Sequence, residues 1–221
     1  GIDEGTNWNL SPGDKFFVNR GGAAFIAGII GKEDLTDNGF NIIGAHTDSH
    51  GFRVKSNSIY ENEGYIQLGV EIYGAPLLAS WTDRDLSLAG EIVVENSGEL
   101  ESRLWKSDKK LLRISQLPIH LNREANDEGL KLEKEKHLPP IIGLSNDNDF
   151  TREDLIDMIA EDMGVESDRI KEFQLELYDT QKSSIFGIND EFFVSGRIDN
   201  LMMSYSGIIA LSEIEEIPNR T

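Results

Sequence analysis

The feature that most constrains the fold of this chain is the segment Ile42 to Lys55, IIGAHTDSHGFRVK. In it a short apolar run opens through Gly44-Ala45 onto His46, with Asp48 two residues later. Side chains alternate along extended backbone, so His46 and Asp48 point to the same side. Imidazole is a good zinc ligand, and a nearby carboxylate can bind the same metal or orient the ring through its second nitrogen. The apolar run from Phe40 to His46 suits a buried strand of an α/β sheet, where ligand sites gather at the carboxyl ends of strands. Taken alone, the same residues also fit a strand end with a hydrogen-bonded His and a turn-forming Thr-Asp-Ser.

A second segment, Glu191 to Tyr205 (EFFVSGRIDNLMMSY), has a related form. The apolar residues Phe192, Phe193 and Val194 meet Ser195-Gly196-Arg197, and Ile198-Asp199-Asn200 then opens a helical run. Asp199 stands where a helix N-cap would stand, with Asn200 as its neighbouring candidate. A carboxylate at a strand-to-helix junction is also well placed to bridge two cations. The two segments together offer a His, a same-side Asp and a distant Asp, all at strand ends.

Before and between them the chain is rich in strands. Lys15 to Gly31 reads as a hairpin turning at Gly21-Gly22. Phe52 to Ser56 leads away from His46. Tyr65 to Tyr73 alternates, with Ile66, Leu68, Val70 and Ile72 on one side. Further strands are expected at Leu86 to Glu95, Leu111 to Ile119 and Phe173 to Tyr178. No long helix suitable for a parallel crossover interrupts this block. Asn122 to Pro140, with the charged run KLEKEK, reads as a solvated loop. Asn146-Asp147-Asn148-Asp149 superficially suggests a calcium loop but lacks the Gly and the terminal Glu that loop requires. Thr151 should cap a helix, with Asp154 completing a capping box and Gly164 ending it. A helix over 200–214 should carry a wide apolar face.

These stretches resemble the aspartyl aminopeptidase family of dinuclear zinc exopeptidases. Trp8-Asn9-Leu10-Ser11-Pro12-Gly13-Asp14-Lys15-Phe16-Phe17 is similar to the family's N-terminal strand entry, and Asn19-Arg20 follows. Gly44-Ala45-His46-Thr47-Asp48-Ser49 resembles its first metal motif. Trp81-Thr82-Asp83-Arg84-Asp85-Leu86-Ser87-Leu88-Ala89-Gly90, Ile119-His120-Leu121-Asn122-Arg123 and Leu177-Tyr178-Asp179-Thr180-Gln181 resemble further stretches. Ser195-Gly196-Arg197-Ile198-Asp199-Asn200-Leu201 completes the set. Each is weakly specific, but six in the family's order are highly specific. His50 departs from the pattern, since relatives usually carry Pro there, and His137 receives no role.

The resemblance implies an α/β fold: an incomplete zinc-exopeptidase-like α/β/α domain (1–60 and 194–221) with an inserted mostly-β dimerisation domain (61–193). It implies a hydrolase that removes N-terminal Asp or Glu from peptides with two bridged Zn2+ ions, roughly 3.5–4 Å apart in such sites. His46 would be a terminal metal ligand and Asp199 the bridge. Asp48 would hold the His46 ring, and His120 would reach the active site of a neighbouring subunit. Self-association through the inserted domain is implied, and the family suggests a dodecamer. The family's further ligands are a Glu-Glu pair, an Asp and a late His, and none can be placed here. Glu215-Glu216 reads as a solvated helix end. The expectation is therefore a chain that stops before the fold is complete and is inactive alone. The alternatives are a non-catalytic assembly module retaining the dimerisation domain, or a related dinuclear zinc aminopeptidase of different specificity.

Composition narrows the classes. The 221 residues include 40 acidic and 21 basic side chains, for a net charge of −19. Such a surface repels nucleic acid and anionic membrane, and acidic peptides would need a locally positive pocket. No cysteine is present, so zinc here must be held by His and carboxylate. No apolar run is long enough to span a bilayer. A cytoplasmic protein is expected, with a vacuolar or lysosomal location as the alternative.

Overall fold

Strands β1 (Lys15–Arg20) and β2 (Ala24–Ile29) pair antiparallel as a hairpin, Lys15 opposite Ile29 and Arg20 opposite Ala24. A single helical turn, α1 (Leu35–Asn38), is capped by the Asp34 carboxylate accepting from Thr36 N–H. The computed structural model describes residues 1, 5–145 and 150–221, so the Asn146–Asp149 run lies outside the described residues. Next come β3 (Gly51–Asn62), β4 (Tyr65–Tyr73), β5 (Leu86–Asn96) and β6 (Glu99–Lys106). The short helices α2 (Ala125–Glu128) and α3 (Lys134–His137) precede β7 (Ile141–Leu144), α4 (Arg152–Met163) and β8 (Ile170–Asp179). The chain ends with the short pair β9 (Ser184–Phe186) and β10 (Phe192–Val194), followed by α5 (Ile198–Ser212).

Two compact units result. One joins the chain's two ends, Gly1–Ser49 with Phe186–Thr221, and the other is His50–Ile185. The boundaries fall earlier than the sequence-based 60/61 and 193/194. At the first boundary, residues 51–62 pair with β4 and so are tied to the middle sheet.

The middle unit is a six-stranded sheet in the order β6-β5-β8-β3-β4-β7, with every neighbouring pair antiparallel. Period-two alternation explains its inner face. Ile66, Leu68 and Val70 of β4, Leu88, Ile92 and Val94 of β5, and Leu175 and Leu177 of β8 are all buried. Leu155 and Ile159 of α4 are buried in the same core. Thr151 and Asp154 form a reciprocal capping box, and left-handed Gly164 ends the helix. Phe52 is buried edge-to-face on Trp81, with ring centroids 4.9 Å apart.

Three expectations from sequence change here. Phe40 to His46 forms no strand: it pairs with no ladder among the described residues, and Ile42 and Ile43 are 84% and 73% exposed. Apolar character alone does not make a strand without a partner for its backbone groups. Leu111 to Ile119 contributes only isolated bridges, Leu112 to Leu86 and Arg113 to Ile141, although Leu112 and Ile114 are buried. The segment Asn122 to Pro140 is not wholly a loop. It holds α2 and α3, and Leu138 and Pro140 close on the core.

In the unit formed by the chain ends, Val18 and Ile29 are buried. The Lys15 ammonium donates to the carbonyls of Ser212 (3.0 Å) and Ile214 (2.9 Å). A cation there satisfies carbonyls at the C-terminal end of α5 and suits the helix dipole. Among the described residues no helix is long and apolar enough to cross a membrane.

Candidate metal centre

Helix α5 assembles the centre from its first two turns. Its start is irregular: Arg197 has φ 64°, and Asp199 and Asn200 have non-helical dihedrals. Asp199 therefore leads into the helix with its carboxylate turned to His46, the nearer oxygen 3.8 Å from Nε2. One turn on, the Ser204 hydroxyl donates to the His46 carbonyl at 3.0 Å. A turn further, a methyl group placed on Gly207 would lie 3.7 Å from Ile43 Cγ2. The segment 43–46 thus runs along α5 toward its N-terminal end, and that path sets His46 against Asp199. Thr47 fastens the next residue, donating to the Ala23 carbonyl at 2.6 Å.

The other side of the ring faces Asp48. Nδ1 lies 3.0 Å from the Asp48 carbonyl and 3.2 Å from its carboxylate Oδ1. Both are acceptors, so the neutral ring carries its proton on Nδ1 and leaves the Nε2 lone pair toward Asp199. Nε2 and the Asp199 carboxylate, facing each other at 3.8 Å, can share a cation, either a proton or a metal ion. The donor chemistry fits zinc. Two ligands on a tetrahedral zinc with bonds of 2.0–2.1 Å lie about 3.3 Å apart, about 0.5 Å less than the separation seen. The pair is not a complete zinc site. No group of three or more His, Asp or Glu side chains able to hold a metal occurs among the described residues.

The structure thus brings together His46, Asp48 and Asp199. His120 belongs to the other compact unit. It sits exposed in a turn closed by Leu121 N–H to Pro118 O (2.9 Å) and Asn122 N–H to Ile119 O (3.2 Å).

The stretches Trp81–Gly90 and Leu177–Gln181 meet in a charged cleft that sequence reasoning left without a location. Arg84 donates to Asp179 at 2.5 Å and to Gln181 at 3.3 Å. Asp85 accepts from Lys110 (2.7 Å) and Arg113 (2.9 Å). The Lys110 hydrogen bond and charge, seconded by Arg113, hold the Asp85 carboxyl below the usual aspartate value. The stretches D-R-D and Y-D-T-Q, whose Arg84 and Asp179 lie 95 positions apart, were the available signal. Gly90 has a different reason to be glycine: a Cβ there would lie 2.0 Å from the Gln174 carbonyl oxygen on β8.

Comparison with known proteins places the chain in a family. The model of the family described as aminopeptidase I zinc metalloprotease (M18) matches residues 1–220. A probable M18 family aminopeptidase 2 of Pseudomonas paraeruginosa is 39% identical over 216 residues, covering 97% of this chain and 50% of that protein. The corresponding Pseudomonas fluorescens protein is 39% identical over 220 residues, covering 97% and 51%. Among solved structures, that of Chaetomium thermophilum mApe1 superposes with a TM-score of 0.82 at 29% identity, over 100% of this chain and 52% of that one. The cryo-EM structure of the Ape4 and Nbr1 complex gives 0.83 at 36% identity, over 98% and 45%. The S. cerevisiae mApe1 dodecamer gives 0.74 at 26%, over 98% and 51%. The fold is that of an α/β zinc-exopeptidase-like protein carrying a mostly-β unit. The chain belongs to the M18 family of aminopeptidases, and it spans about half the length of the curated relatives it matches.

Proposed function

We propose that the protein is a metallo-aminopeptidase that hydrolyses N-terminal Asp or Glu from peptides with two bridged zinc ions. His46 would serve as a terminal ligand and Asp199 as the carboxylate shared between the ions. The observation that carries this reading is His46 Nε2 lying 3.8 Å from the Asp199 carboxylate, with the opposite ring nitrogen 3.2 Å from the Asp48 carboxylate. When bound, the zinc ions supply Lewis-acid polarisation of the scissile carbonyl and lower the pKa of a water. The chain's own residues perform narrower tasks. Asp48 keeps the His46 proton on Nδ1 and fixes the plane of the ring, so Nε2 stays available. Asp199 offers two carboxylate oxygens at the mouth of α5 and contributes the negative charge that offsets the cations. Ser204 and Thr47 hold the backbone on either side of the ligand.

His120 is assigned to the active site of a neighbouring subunit. Its support is an exposed turn flanked by the exposed apolar residues Leu117, Ile119 and Leu121, a surface suited to burial against another copy. The protein accordingly self-associates through the unit His50–Ile185, and the dodecameric S. cerevisiae mApe1 supports that reading. The acidic preference rests on the resemblance of the six sequence stretches.

The test is an assay of the full-length protein on Asp-, Glu- and Leu-anilides with and without chelator. Chelator-sensitive turnover with preference for Asp or Glu is expected. Preference for Leu overturns the acidic specificity, and turnover untouched by the chelator or by Asp199→Asn overturns the metal assignment.

A further inference from the structure

Strand β6 is the terminal strand of the six-stranded sheet. Its inner side pairs with β5 in unbroken register from Glu99 opposite Asn96 to Lys106 opposite Ala89. Its outer side pairs with no strand among the described residues. Free edges are normally blunted by bulges, prolines, shortness or charge on the open face. This edge is eight residues long and regular. Trp105, 6% exposed, pins one face to the core, while Leu100 and Leu104 stand on the other face 69% and 88% exposed.

We infer that this edge is the docking surface for β6 of a second copy, joined antiparallel about a two-fold axis at Ser102. The inference rests on the self-association proposed above and names its contact. A two-fold axis perpendicular to the sheet keeps each residue on its own face, so only registers centred on a residue are allowed. Centring on Glu101 sets Glu101 against Glu101, and centring on Arg103 sets Arg103 against Arg103. Centring on Ser102 sets Glu101, which pairs at 2.7 Å with Arg103 of its own strand, against the second copy's Arg103 as well, and Leu100 against its Leu104, each twice by symmetry. Opposed unlike charges and opposed apolar side chains favour strand pairing, and like charges oppose it. The strand carries Glu99 and Glu101 against Arg103 and Lys106, so its charges balance within a chain of net charge −19. The two sheets become one of twelve strands, and the exposed leucines are covered.

The register makes a sharp test. Opposed residues in an antiparallel pair have Cα atoms about 4.5–5.5 Å apart, within disulfide reach. Position 104 lies about 13 Å from its own copy across the axis. This stretch contains no cysteine. In the full-length protein, with any other cysteines replaced, Ser102→Cys should crosslink into a dimer under mild oxidation and Leu104→Cys should not. By light scattering, Glu101→Arg should at least halve the assembled mass at a concentration where the parent is fully assembled. The double variant Glu101→Arg/Arg103→Glu should restore it, with circular dichroism confirming that each is folded. A monomeric parent overturns self-association itself. An assembled parent with no Ser102→Cys crosslink and an indifferent Glu101→Arg leaves self-association standing and overturns the β6 edge. A crosslink at Leu104→Cys instead of Ser102→Cys overturns the register.

Discussion

At the residue scale the centre depends on which nitrogen of His46 keeps its proton. Two acceptors of Asp48 converge on Nδ1, and they are not equivalent. The carbonyl at 3.0 Å orients the ring, and the carboxylate at 3.2 Å adds negative charge that makes Nε2 a stronger donor. Asp48→Asn removes the charge and leaves the carbonyl, so ring orientation should persist while donor strength falls. Loss of such supporting partners typically costs about 10–100-fold in metal affinity. A value near the lower end is expected, because half of the support remains. Competitive zinc titration of the full-length variant reads this directly. Unchanged affinity would mean that the carbonyl alone sets the ring.

At the element scale, the sheet shows where close approach outweighs side-chain chemistry. Gly90 lies on β5, the strand between β6 and β8, opposite Leu175 of β8, in van der Waals reach of the β8 backbone. An added methyl would meet the Gln174 carbonyl at 2.0 Å, and neither backbone can move without disturbing a ladder. Gly90→Ala should therefore destabilise by about 1–3 kcal/mol, the usual range for overpacking, seen as a lowered urea midpoint at unchanged m-value. The sequence showed Gly90 only as the last letter of a resembling stretch, because the clash involves a strand 84 positions away. Elements whose reason is local were legible. The alternation of β4 predicts its span of Tyr65–Tyr73, and Thr151, Asp154 and Gly164 predict both ends of α4. Elements whose reason is a partner were not. Ile42 and Ile43 have strand composition but no ladder. Leu112 and Ile114 are buried without belonging to a regular strand.

At the scale of the whole molecule, the candidate centre is a matter of how many ligands one stretch of polypeptide can bring together. His46 and Asp199 are 153 residues apart in sequence and 3.8 Å apart at their nearest polar atoms. Their juxtaposition was legible because each sits in a recognisable stretch. That α5 sets it through Ser204 and Gly207 was not legible, since neither residue carries a signal of its own. Zinc is held by about four donors in closed sites and by three protein donors in catalytic ones. Two donors are found here, and no cluster of three occurs among the described residues. The curated relatives are about twice as long as this chain. Losing even a supporting partner costs about 10–100-fold in affinity, and among the described residues at least one direct donor is missing. Its zinc affinity should therefore lie more than about 100-fold below that of the full-length protein, in a chelator-competition titration of both. In the isolated chain His46→Ala should remove most of the weak binding that remains. Tight binding by the isolated chain that survives His46→Ala would locate its zinc elsewhere and sink the pairing of His46 with Asp199.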